Sequence, residues 1–171
     1  MQLPQGDVRL LHTEAAQRLL RSQIPARFAF VWSDGTPRVI PTWFHWNGTE
    51  IVTATYAAGP AIGIRHAAQR VKVLRAHPHV ALTIDTDGFP PEALTVRGVA
   101  TVDEVDGLAP EYLLAASRYL GEAGAAELAS AVDQPGTRQY RIVVRPTWVG
   151  LIDFRTRLPS VQGGVTAAEN P

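Results

Sequence analysis

Arg65, Arg70, Lys72 and Arg75 bring four cations into eleven residues, just after a run that closes on Thr53 and Thr55. Hydroxyl donors followed by guanidinium and ammonium groups are what a phosphate monoester needs. Charge-assisted hydrogen bonds hold such a dianion without any base to react with it. The same four side chains also fit the wet face of an ordinary helix. Arg65, Gln69 and Lys72 share one helical stripe, whereas Arg70 is displaced towards the opposite flank. Residues two apart point about 200° from one another on a regular helix. Arg70 and Lys72 therefore meet at one phosphate only if the helix begins between them or a second subunit supplies one.

Few other chemistries suggest themselves. The chain has no cysteine, which excludes disulfides, thiolate zinc sites and a cysteine nucleophile. His12, His45, His66, His77 and His79 share no face with carboxylates, and Pro78 splays the last two, so no metal centre is expected. No serine stands in a G-x-S-x-G elbow, and the glycines form no phosphate loop. Asp85 and Asp87 close a strand into a turn, where aspartate is a turn former. Sixteen Lys plus Arg balance sixteen Asp plus Glu, so no net field draws nucleic acid or an anionic membrane. No secretory leader is visible, nor any apolar run near the roughly 20 residues of a spanning helix. A cytoplasmic protein is the expectation.

The elements that would position the basic helix begin with Phe28–Tyr56. Three β-branched and aromatic runs are parted there by Asp34-Gly35 and Asn47-Gly48, both strong hairpin signals. Strands are expected over about 28–33, 38–46 and 50–55 as a meander of consecutive neighbours. In the middle run Val39, Pro41, Trp43 and His45 alternate with Ile40, Thr42, Phe44 and Trp46. Large apolar groups thus lie on both faces, a pattern that calls for a core on one and a ligand or second subunit on the other. Pro41 has no amide hydrogen for a ladder, so that strand is either an edge or bulged there.

Around this meander, residues 1–12 read as a polar lead, and Thr13 as the cap of a short helix to about Ser22. Apolar spacing predicts a second helix from Ile64 to His77, then strands over 79–85 and 94–105 with a bend at Gly98. Asp106 is a candidate cap for a third helix, which Pro110 opens and Gly121 breaks. A last strand runs from Gln139 through Pro146 towards Phe154. The fold class expected is mainly β with helices: a six-stranded antiparallel barrel. Residues 1–24 form the lead and first helix, 25–158 the barrel domain and 159–171 a tail.

The run DGTPRVIPTWFHWNGTEIVTAT, then LRAHPHVALTID and LTVRGVATV, resembles the flavin-binding split-barrel family of pyridoxamine 5′-phosphate oxidase and its deazaflavin-using relatives. The pattern is D-G-x-P-x-V-x-P-x-W-F, N-G, I-V-x-A-T, L-R-x-x-P-x-V-A-L-T-I-D and V-R-G, spread over about 25–155. The resemblance implies a split β-barrel that dimerises with itself and holds a flavin between subunits. It implies an oxidoreductase passing hydride to or from a small molecule, with FMN as cofactor and the F-420 deazaflavin as the alternative. A flavin- or haem-binding protein without turnover is a further reading. Arg70 matches the family's basic position eight before the proline, and Lys72 a second basic position. Thr55 matches the phosphate-side threonine, while Pro41, Thr42 and Trp43 match a bulged stretch lining the flavin ring. Arg65 is a substitute for Arg70. The lead into the helix, AAGPAIGIRHAAQR, is longer than the family's Gly-Ser-x-Lys, and Ala68 replaces a serine. RPTWVGLIDFRTRLPS lacks the arginine and histidine signature for the vitamin substrate, so oxidation of pyridoxine phosphate is not expected.

Overall fold

The computed structural model describes residues 3–59 and 67–154. Helix α1 (Glu14–Arg21) precedes strands β1 (Ala26–Val31), β2 (Pro37–Thr42), β3 (His45–Trp46) and β4 (Ile51–Ala58). Helix α2 (Ala67–Ala76), strands β5 (His79–Asp85) and β6 (Glu92–Asp106), helix α3 (Pro110–Val132) and strand β7 (Arg138–Asp153) follow. All seven strands form one antiparallel sheet in the order β2-β1-β5-β6-β7-β4-β3.

The expected class holds, but the strand count and the meander need correction. The middle run is two strands, giving seven rather than six, and β2 and β3 lie on opposite edges of the sheet. Only Trp43 and Phe44 separate them in sequence, so the chain itself crosses the gap and closes the sheet into a split barrel. The two carbonyls at this break find side-chain partners instead of a ladder. Trp43 O accepts from the Thr53 hydroxyl at 2.8 Å and the Thr42 hydroxyl at 3.1 Å, and Phe44 O accepts from the Arg118 guanidinium. Backbone groups satisfied in this way make the break stable. Across the same seam the Thr42 and Thr53 hydroxyls lie 2.6 Å apart.

Both turn signals act as read. Asn47 Oδ1 accepts from the amides of Thr49 and Glu50, and Asp34 Oδ1 from that of Thr36. Gly35 and Gly48 take the positive φ that these turns require. Pro41 sits on an edge strand in unbroken register with Arg27 of β1, so no bulge is needed to excuse its missing amide hydrogen. Register shifts fall instead between Tyr56 and Ala58 and between Arg97 and Gly98, where a Cβ would come 2.5 Å from Arg145 O.

The barrel interior is filled by Phe28, Phe44, Leu82, Leu94 and Ile142, with Leu74 from α2. Leu19 and Leu20 of α1 belong to the same core, and so do Leu10 and Leu11, so residues 8–12 contribute apolar packing rather than a polar lead. Thr13 stands at the N-cap of α1, but its hydroxyl donates backwards to Leu10 O. Asp106 does not cap α3. Ala109 occupies that position, and its amide donates to buried Gln139 Oε1 at 2.8 Å. Gly121, at φ +77°, divides α3 as its sequence suggests. No helix among the described residues is long and apolar enough to cross a membrane.

Candidate functional site

A cleft of about 320 Å³ opens where the β2–β3 break faces α2 and α3. Pro41, Thr42, Trp43 and Arg70 line it, joined by Ile40, Ala54 and Tyr112. Four positions singled out in the sequence thus come together from two elements far apart in the chain.

Helix period decides which cation enters. On α2, Val71, Val73 and Leu74 turn into the core, leaving Lys72 and Arg75 exposed and Arg70 half-buried at the cleft. Both Arg70 and Lys72 lie inside α2, so they point apart, and Lys72 is not in this cleft. Arg75 is engaged elsewhere, donating to Val102 O at 3.3 Å. Thr55 does not line the cleft either. Its neighbour Ala54 does, and successive side chains on a strand face opposite ways. Arg65 lies outside the described residues, as does most of the segment that leads into α2.

Arg70 has no hydrogen-bond or ion-pair partner among the described residues. Burial without a neighbouring carboxylate pushes its guanidinium down from the usual arginine value. A guanidinium nevertheless stays charged in proteins, so the cleft carries a positive charge that no described residue compensates.

The aromatic wall is held from α3. Trp43 stacks on Tyr119, with centroids 5.1 Å and planes 9° apart. Tyr119 donates to Ile24 O at 3.1 Å, and Arg118 donates to Leu20 O at 2.9 Å while lying 4.4 Å above the Phe44 ring. Phe44 is fully buried within the one chain and Trp46 packs against the same core. The aromatics on both faces of the middle run are thus absorbed largely by intramolecular packing. His45 lines a separate hollow with Trp46 and Arg118, where burial first and Arg118 second push its pKa down.

Sequence reasoning missed Tyr112, Arg118 and Tyr119. Tyr112 and Tyr119 read as the apolar face of a helix. The available signal was their spacing of two turns, with a polar tip on each ring. Tyr56 donates to the Tyr112 hydroxyl at 2.8 Å, and its own pKa is pushed up, by burial foremost and then by that bond.

The family model for pyridoxamine 5′-phosphate oxidase matches residues 12–152. The chain belongs to the pyridoxamine 5′-phosphate oxidase family. Among solved structures, an F420 reductase is similar at 28% identity, covering 78% of this chain and 94% of that one, with a TM-score of 0.56. The haem storage protein HutZ of Vibrio cholerae shares the fold at 17% identity, covering 80% and 89%, TM-score 0.52. General stress protein 26 of Bacillus anthracis shares it at 14% identity, covering 84% and 95%, TM-score 0.56. No curated protein matches the sequence. Membership of the pyridoxamine 5′-phosphate oxidase family accounts for the split barrel.

Proposed function

We propose that this protein is a flavin-dependent oxidoreductase that holds FMN, or alternatively the F-420 deazaflavin, in the cleft beside Arg70. The observation that carries this is the half-buried Arg70 guanidinium, without a partner among the described residues, in a cleft walled by Trp43. Removing a cation from water without a partner is unfavourable unless an anionic ligand compensates it. A flavin phosphate supplies that anion, and a planar ring suits a wall made by Pro41, Thr42 and Trp43. When bound, such a cofactor carries hydride at its ring, while the protein supplies position and electrostatics.

A cleft of about 320 Å³ lies at the low end of the roughly 300–1,000 Å³ of small-molecule sites. It suits a phosphate and one edge of a ring better than a whole cofactor. Homodimerisation, with a second subunit completing the enclosure, follows from that size and from the family resemblance. Arg70 serves the phosphate from within one chain. Lys72 and Thr55 lie outside the cleft, so any role of theirs is towards the partner.

The deazaflavin alternative draws on similarity to the F420 reductase at 28% identity. A haem reading needs an axial side chain. Tyr112 is the one residue of that kind among the described lining residues, and the reading proposed here needs no axial ligand.

The test is titration of the wild type, Arg70→Ala and Lys72→Ala with FMN and with the deazaflavin. Loss of one charge-assisted contact predicts about tenfold weaker binding in Arg70→Ala. Lys72→Ala reports on the partner's cleft: a change within about twofold means that Arg70 holds the phosphate alone, since long-range attraction is screened, and a larger loss means that Lys72 reaches across the dimer. Equal affinity of Arg70→Ala and wild type for both cofactors would refute the assignment.

A further inference from the structure

The Arg70 cleft contains a second polar group whose direction the fold sets. Tyr112 lines the cleft, and its oxygen accepts the Tyr56 hydroxyl proton at 2.8 Å. A phenol has a single proton to give. With Tyr56 as the donor, the Tyr112 proton takes no part in that bond, and no described residue accepts it. The rings meet edge to face at 75° with centroids 5.7 Å apart, which limits rotation of either.

Three elements fix this one hydroxyl. The Tyr112 amide donates to Ala109 O at 2.9 Å, and the Ala109 amide donates to Gln139 Oε1 at 2.8 Å. Gln139 is fully buried on β7, directly across the ladder from Tyr56 on β4. A register shift follows immediately, between Tyr56 and Ala58, and such irregularities re-aim side chains. Glu111, one residue before Tyr112, is clamped to Arg141 at 2.5 Å. A hydroxyl held by this many contacts, on a residue that lines the cleft and with no described residue accepting its proton, is a preorganised donor.

We propose that Tyr112 donates a hydrogen bond to the ligand of the Arg70 cleft, with Tyr56 as its positioning residue. The assignment rests on the flavin reading above and narrows the ligand class. The occupant presents an anionic group to Arg70 and a carbonyl or ring-nitrogen acceptor to Tyr112. A flavin or deazaflavin phosphate has both, whereas a simple phosphate monoester satisfies Arg70 alone.

The experiment titrates FMN and the deazaflavin into wild type, Tyr112→Phe and Tyr56→Phe, recording affinity and the visible absorption band of the bound cofactor. Tyr112→Phe keeps the ring and removes only the donor. It is expected to weaken binding about five- to tenfold, the usual size of one lost hydrogen bond, and to move the band. Tyr56→Phe is expected to give a smaller loss in the same direction, because Tyr112 keeps its proton but not its orientation. Wild-type affinity and an unmoved band in Tyr112→Phe would overturn the Tyr112 assignment and leave the flavin reading standing. A wild type that binds neither cofactor would overturn both.

Discussion

Trp43 lies flat on Tyr119, with ring planes 9° apart and centroids at 5.1 Å. This stack ties the crossing between β2 and β3 to α3, so the wall of the cleft is also a joint of the barrel. Its effect on stability separates from that of the Tyr119 hydroxyl, which donates to Ile24 O. Tyr119→Phe is expected to cost about 1 kcal/mol and Tyr119→Ala about 2–4 kcal/mol, from the lost hydrogen bond and the lost aromatic packing respectively. Urea unfolding of both variants measures the difference. Equal losses would mean that the stack contributes nothing.

Arg70 is expected to set function against stability. Its charge is half-buried and unpaired among the described residues, a state that costs free energy until an anion arrives. Arg70→Met keeps the aliphatic bulk and removes the charge. The ligand-free protein is expected to gain about 1 kcal/mol, as functional sites commonly release when neutralised, while cofactor binding falls. Thermal unfolding with and without FMN reads both effects, and a destabilised ligand-free variant would contradict the account of an uncompensated cation.

The Glu111–Arg141 pair is expected to give an acid-side dependence. Hydrogen bonding to Arg141 is the largest influence on Glu111 and holds its carboxyl below the ordinary value of 4.5. A depressed folded-state pKa contributes stability that is present above the unfolded value and is lost as pH falls through the folded one. Glu111→Gln is therefore expected to cost about 1–2 kcal/mol at neutral pH, typical of a partly buried charged hydrogen bond. The difference from wild type shrinks as pH drops below about 4.5. Denaturant midpoints measured across that range check it, and a constant difference would remove Glu111 from the acid transition.

Much of the fold is written locally. Asp34-Gly35 and Asn47-Gly48 form turns because their own side chains and glycine backbones satisfy the geometry. The strand 79–85 matches its expected bounds, since alternation alone sorts Val80, Leu82 and Ile84 inwards. The opposed directions of Arg70 and Lys72 were equally legible, being a property of helix pitch.

What sequence left undecided depends on partners distant in the chain. Alternation carries the middle strand straight through Trp43 and Phe44. It breaks there because Thr53 and Arg118 are positioned to take the two freed carbonyls, and no local pattern encodes that meeting. Family pattern brought Thr55 forward, but register with β7 puts Ala54 on the cleft. Tyr112 reads as a core residue of a helix until β4 brings Tyr56 within 2.8 Å of its oxygen. Short-range sterics and periodicity fix turns, helices and faces within the sequence itself. Which polar group meets which is decided only when the barrel closes, because a hydrogen bond needs its two atoms within about 3 Å.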